Sequence, residues 1–161
     1  VQITERVQEL VASFIREGKD RISTQEAITE EGLGAWTAAY SQTVLRTNVS
    51  RAYSAGRMQT ARDPEVARAL PALLYSTSRD SAVRAGHAPL DGFLALTTDP
   101  VWNTYAPPNG FNCRCSIRLV SAAELRRKGV SVDSLRSGRA VPAGVEITEG
   151  FDAAPDAGLY R

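Results

Sequence analysis

The sequence of 161 residues has little of several features that define whole classes of protein. It has only two cysteines, so a disulfide framework of the kind found in small secreted domains is excluded. It has no run of about 18 apolar residues, which predicts that no segment spans a membrane. Its net charge is only +1, so the whole chain has no positive field that would steer it to nucleic acid.

The composition is typical of a folded domain. Hydrophobic residues make up 43% and charged residues 23% of the chain, which argues against wholesale disorder. The sequence has no basic start followed by an apolar core, so we expect no signal peptide. It begins at Val1 rather than at methionine, so we expect it to be the ordered or processed part of a longer chain.

The first half of the sequence predicts four helices. An apolar stripe at helical spacing marks the first, formed by Ile3, Val7, Leu10, Val11, Phe14 and Ile15. A capping box of Ser23 and Glu26 predicts a second helix, which ends near residue 31 before two glycines. A long helix follows over 35–62, and Asp63 is a suitable cap for a brief helix that starts at Pro64.

After Pro71 the pattern changes to short strands separated by loops rich in proline and glycine. We predict strands over 72–77, 93–97 and 113–120, the last from its alternation of apolar and polar residues. Ser121 and Glu124 form a capping box for one more short helix. A run of helices followed by a run of strands indicates an α+β fold, with N-terminal helices followed by a small antiparallel sheet with long loops.

The same pattern predicts three regions. The first is an N-terminal helical arm over 1–34. The second, over 35–128, is a core made of the long helix and the small sheet. The third, over 129–161, is an extended C-terminal tail.

The most specific feature is an ordered set of three motifs. They are LRTNVSRAYSAGR at 45–57, RDSAVRAGHAPLDG at 79–92 and, about fifteen residues later, PPNGFNCRC at 107–115. Each motif alone is a weak signal, but the set in this order resembles the phage Mu F-like head morphogenesis family, whose members are related to a minor capsid protein of phage SPP1. The likeness covers roughly half of the chain.

The resemblance implies a phage minor head protein, present in few copies at or near the portal. Such a protein supports head assembly and the packaging or delivery of DNA, and its expected partners are the portal protein or other head proteins. We therefore expect a location in the virion, in the capsid interior near the portal, and in the host cytoplasm during assembly. The family implies no established enzyme activity.

A zinc site is one interpretation of the only histidine and the two cysteines. In a regular strand Cys113 and Cys115 point to the same face, and His87 lies in the same block of motifs, so two thiolates and an imidazole can converge. Other family members resemble a fuller ligand set, but Arg84 and Gly110 stand where those ligands would be. Asp91 is then the candidate for a fourth ligand. In the alternative interpretation, the cysteines pack as small buried side chains and His87 forms a hydrogen bond within a loop.

The other residues of the motif block have an architectural interpretation. Arg79, Asp80 and Arg84 can form an ion-paired network, with Arg114 beside Asp91 through bidentate pairing. Gly92 is expected in a tight turn into the second strand. The remaining motif residues predict a rigid turn with a positive φ at the third or fourth of them: Pro107, Pro108, Asn109 and Gly110.

Two further functions have sequence support. A basic stretch that includes Arg126, Arg127 and Lys128 is a candidate contact for packaged DNA or a partner, which makes a DNA-binding virion protein an alternative to the structural role. A zinc-dependent hydrolase is the enzymatic alternative. Because the sequence has no His-Glu-x-x-His motif and no glycine-rich phosphate loop, we predict that the chain is not an enzyme.

Overall fold

The computed structural model describes residues 2–31 and 37–157 of the chain. The predicted helix breakers Gly32 and Gly34 and the predicted start of the long helix at Ala35 lie outside these ranges. The fold is α+β, and the chain forms two compact units, Val1–Val49 and Ser50–Arg161. None of the helices in the described ranges is long and apolar enough to cross a membrane. The predicted division into arm, core and tail stays a prediction.

The predicted elements occur in the predicted order, and short helical segments that were not predicted lie between the strands. The helices are α1 Gln2–Glu17, α2 Arg21–Glu31, α3 Ala38–Arg62, α4 Pro64–Ala69, α5 Trp102–Tyr105, α6 Ala122–Arg127 and α7 Val132–Leu135. The strands are β1 Ala72–Ser76, β2 Leu94–Leu96 and β3 Ser116–Val120, and Ala88–Leu90 forms one 3₁₀ turn.

The N-terminal unit is held together by the apolar stripe of α1. Val7 and Val11 are buried with Ile28 of α2 and Leu45 of α3. Gly18, at a φ of 63°, follows the last residue of α1, as predicted. The capping-box prediction for α2 is wrong, because Asp20 precedes the helix and accepts the Ser23 N–H at 2.8 Å.

The sheet has the order β2-β1-β3, and both pairings are antiparallel. Side chains of a strand alternate between the two faces, and here both faces are covered. One face joins a core of Leu73, Tyr75, Ala95 and Ile117 with Met58 and Ala61 of α3. The other face joins a second core of Ala72, Leu74, Leu94 and Val120 with Leu125 of α6 and Leu135 of α7. Central β1 is therefore a continuous apolar run.

The third strand begins later than predicted. Its last register pair joins Ser116 to Ser76, and β1 ends at Ser76, so residues 113–115 have no strand to pair with. Cys113 and Cys115 consequently lie in the loop before β3 rather than on one face of it.

The region after the sheet contains one helix that the sequence analysis did not predict. Ser121 caps α6 as expected, by accepting the Glu124 N–H at 3.2 Å. Helix α7 has its own cap at Ser131 and buries Leu135. Phe151 and Ala154 are also buried, so the last described segment is packed against the unit rather than loose.

Candidate metal centre

Three side chains that are far apart in sequence converge in the C-terminal unit. The His87 Nδ1 atom lies 3.6 Å from the Cys113 Sγ atom and 3.9 Å from the Cys115 Sγ atom. All three side chains are buried, and their ligand atoms lie within 4.8 Å of one another. The structure therefore brings together the three residues that the sequence analysis had proposed as principal zinc ligands.

Backbone hydrogen bonds of two loops position these side chains. His87 precedes the 3₁₀ turn, and its N–H donates to the Arg84 carbonyl at 2.9 Å. The Cys113 N–H donates to the Gly110 carbonyl at 3.2 Å. Cys115 directly precedes β3, which pairs with β1. The convergence thus depends on the sheet. Pairing of β1 with β3 places the start of the loop that contains His87 next to the end of the loop that contains both cysteines.

The pKa values of the two thiols are shifted in opposite directions. A hydrogen bond from Cys115, supported by His87 and by the backbone N–H groups of Asn109 and Cys115, lowers the pKa of Cys113 to about 4, although burial opposes this. The same interaction with Cys113, together with burial, raises the pKa of Cys115 well above its usual range.

A polar chain continues from the cluster into the core. The Tyr75 hydroxyl interacts with Cys115, and burial raises the pKa of that hydroxyl well above its usual value. Asn109 is fully buried, and its Nδ2 atom donates to the Tyr75 hydroxyl at 3.1 Å. Asn109 comes directly after the Pro107–Pro108 cis peptide. The proline turn therefore places an amide where it supports the hydroxyl next to the cluster.

Asp91 lies outside the cluster, although it was the candidate for the fourth ligand. One carboxylate oxygen accepts the Thr77 N–H at 2.9 Å, and the other pairs with the Arg79 Nε atom at 2.8 Å. Burial raises the pKa of Asp91, but the hydrogen bonds of Thr77 and the charge of Arg79 outweigh it, and the net pKa is below the usual value. Asp91 thus closes the turn after β1, and Gly92 follows it at a φ of 79°.

The predicted ion pairs form with different partners. Arg114 makes a bidentate pair with Asp80, at 2.8 and 2.6 Å, and not with Asp91. This pairing holds the pKa of Asp80 below its usual value. Arg84 donates to the Phe111 carbonyl at 2.7 Å. These contacts join the loop that contains His87 to the loop that contains the cysteines.

The proline turn differs from its prediction in one detail. Gly110 and Asn109 do not have a positive φ, whereas Asn112 does, at 58°. A Cβ atom at Gly110 would lie 2.6 Å from the Thr148 Oγ1 atom, so a larger residue there would require the Thr148 side chain to shift.

A C-terminal segment over 141–157 covers both loops, and sequence reasoning missed it. The Glu146 N–H donates to the Gly86 carbonyl at 3.1 Å, and the Thr148 N–H donates to the Asn109 carbonyl at 3.0 Å. A Cβ atom on Gly86 would lie 2.7 Å from the Glu146 Cβ atom. The alternating small residues of this segment have no period that would have indicated the contact.

We expect Gly86→Ala to detach this segment at a cost of about 1–3 kcal/mol, the usual range for overpacking. The clash is with a Cβ atom and a backbone nitrogen, which cannot rotate away. Hydrogen exchange of the Glu146 amide and limited proteolysis of 141–157 measure the effect. Gly56→Ala is the matched control, because its Cβ would meet nothing within 4 Å and alanine stabilises a helix interior by about 0.5–1 kcal/mol. Equal protection of Glu146 in both variants would contradict the close approach.

The three basic residues that were candidate contacts for DNA or a partner do not belong to this cluster. They follow it in the sequence and lie at the end of α6. Arg126, Arg127 and Lys128 are all exposed, and the ion pairs of the described residues do not include them. Cations in the last turn of a helix are favoured by the helix dipole, so their position has a local explanation.

The chain matches the family model described as phage Mu protein F like protein over residues 5–118, which is more than half of its length. The chain belongs to this family. It is 35% identical over 111 residues to the putative capsid assembly protein F of Escherichia phage Mu. The aligned region covers 67% of this chain and 25% of that protein. It is 36% identical over 93 residues to the Mu-like prophage FluMu F protein of Haemophilus influenzae, which covers 58% of this chain and 22% of that protein.

The matched part of this family member therefore corresponds to about a quarter of the length of the curated relatives. No solved structure matches the chain. The match over 5–118 includes His87, Cys113 and Cys115, so the cluster lies within the part of the chain that defines the family.

Proposed function

We propose that the chain is the part of a minor head protein that acts in phage head morphogenesis, as a structural component rather than an enzyme. The observation that carries the proposal is the family membership, together with the similarity to a putative capsid assembly protein. The small sheet, with both faces covered and its loops joined by ion pairs, fits a scaffold better than an open catalytic cleft.

We propose further that the protein acts in the virion, in the capsid interior near the portal, where it supports packaging or delivery of DNA. The N-terminal unit supplies the contact surface. Val7 and Val11 of the α1 stripe are buried within the unit, so these two side chains do not dock. Exposed apolar side chains remain on its helices, with Ile22 61% and Ile15 40% exposed.

Co-production of the chain with the portal and major capsid proteins of the same phage tests this role. We expect the chain in purified portal complexes and in heads, and we expect Ile22→Asp to reduce its incorporation. Glu30→Gln on the same helix is the control, because it removes no apolar surface. The proposal fails if the chain is absent from portal complexes at every mixing ratio.

DNA contact is the second candidate function, favoured by the three exposed cations at the end of α6. We expect Arg127→Glu to reduce the slope of log K against log salt by about 1 for duplex DNA, because each phosphate contact contributes about 0.9. Arg68→Glu, at an exposed position of α4, matches the change in charge. Filter binding across a salt series measures both slopes, and equal slopes would exclude a specific role of this patch.

A further inference from the structure

We propose that His87, Cys113 and Cys115 hold one Zn²⁺ ion and that a water molecule completes its coordination. His87 is the ligand through its Nδ1 atom, since both sulfur atoms face that nitrogen. The proposal is independent of the role in head assembly, because it rests only on the arrangement of these side chains.

The distances between the ligand atoms carry the first step. Zinc lies about 2.3 Å from sulfur and about 2.0–2.1 Å from nitrogen, so tetrahedral geometry places the two ligand atoms about 3.6 Å apart. The observed separations from the Nδ1 atom are 3.6 and 3.9 Å. Both sulfur atoms therefore lie at about the spacing from the nitrogen that one tetrahedral ion requires.

A hydrogen bond at the His87 Nδ1 atom uses only one of the two sulfur contacts at that atom. The Nδ1 atom of an imidazole has either one proton or one lone pair, so it makes one such bond at a time. Here Cys113 and Cys115 both approach it. A cation between the three atoms satisfies both sulfurs and the nitrogen together, and soft thiolate with imidazole is a ligand set that suits zinc.

The fourth coordination position of the proposed ion is accessible only to a ligand of the size of a water molecule. Among the described residues, no further histidine, cysteine or carboxylate belongs to the cluster. A cavity of about 20 Å³ is lined by all three ligand side chains, with Ser78 and Arg84 also at its wall. A space of roughly 10–15 Å³ is enough for one water, so a single water fits and a larger substrate does not.

The ion would join the two loops just beyond the end of the sheet, where strand pairing no longer connects them. One loop supplies His87 after β1, and the other supplies both cysteines before β3. Tyr75 orients the Cys115 sulfur, and Asn109 orients the Tyr75 hydroxyl. Such outer contacts fix the geometry of metal ligands. We assign the ion a structural role.

Metal analysis of the full chain, produced in zinc-supplemented medium, tests the proposal. We expect about one zinc per chain, and after exchange with Co²⁺ we expect the ligand-field bands of tetrahedral cobalt with a thiolate-to-metal charge-transfer band. We expect Cys115→Ser to weaken that charge-transfer band. If Cys115→Ser does not fold, the cobalt spectrum of the unsubstituted chain still decides.

Two results would overturn the proposal. A chain that is folded by circular dichroism, yet contains no zinc and takes up no Co²⁺, would exclude the ion. Loss of the metal in an Asp91→Asn variant that is folded by circular dichroism would exclude water as the fourth ligand, because the wild-type carboxylate is bound to Thr77 and Arg79. Neither readout depends on head assembly, so failure here leaves the proposed function standing.

Discussion

Removal of the ion by a chelator is expected to lower the Tm of the C-terminal unit by more than about 15 °C. A ligand that binds only the folded state stabilises it by about 4.1 kcal/mol when its free concentration is a thousand times its Kd. In a unit of this size each kcal/mol corresponds to roughly 4 °C or more. The unfolded chain lacks the convergence of His87 with the two cysteines, so the ion favours the folded state. Calorimetry with excess chelator and with excess zinc measures the difference.

The control for this prediction separates metal binding from general ionic effects. Mg²⁺ prefers oxygen ligands, so its addition should not restore the Tm. Asp91→Asn should keep the response to chelator, because Asp91 lies outside the cluster. A Tm that does not change with chelator would favour the alternative in which Cys113 and Cys115 pack as small buried side chains and His87 only forms hydrogen bonds.

The limits of the sequence analysis are clearest at the strands. The run from Ala72 to Tyr75 was predictable because it is apolar throughout, which the two covered faces of β1 require. The start of β3 was not predictable. Its alternation continues back to Cys113, but pairing stops at Ser116 because the partner strand ends. Alternation is a local property, whereas register depends on a strand forty residues away in the chain.

Helix boundaries show a similar competition between local signals. Asp20 and Ser23 are both good caps, and only the folded chain shows that Asp20 accepts the backbone N–H. Helix α7 has four residues, which is about one turn and too short for a periodic pattern. Its burial of Leu135 against the sheet is therefore a tertiary effect.

At the candidate site, residue types were predictable and partners were not. Resemblance and chemistry identified His87, Cys113 and Cys115, which the structure brings together. Asp91 was a reasonable ligand by type, but Thr77 and Arg79 occupy its oxygens. No sequence pattern indicated that the segment over 141–157 covers the two loops. The contact depends on glycines, which allow a close approach because they have no side chain.

The other large effect is expected from Trp102→Ala, which should destabilise the C-terminal unit by about 3–5 kcal/mol. Trp102 is 1% exposed, its Nε1–H donates to the Leu96 carbonyl at 2.8 Å, and its ring meets the Phe93 ring edge-on at 5.9 Å. Alanine leaves a cavity and removes the side-chain donor to this carbonyl. Urea unfolding followed by circular dichroism gives the free energy.

Two variants show which part of the tryptophan is responsible. Trp102→Phe keeps an aromatic ring and loses the donor. The Leu96 carbonyl still accepts the Asp99 N–H at 3.0 Å, so we expect about 0.5–1.5 kcal/mol, the net value of one hydrogen bond. Tyr53→Ala removes an aromatic side chain that is 64% exposed, and we expect a change within about 0.5 kcal/mol. Because a domain of this size has only about 5–15 kcal/mol of net stability, the alanine variant should lose a large share of it. Equal losses for Trp102→Ala and Tyr53→Ala would mean that the core around Trp102 does not determine the stability of this unit.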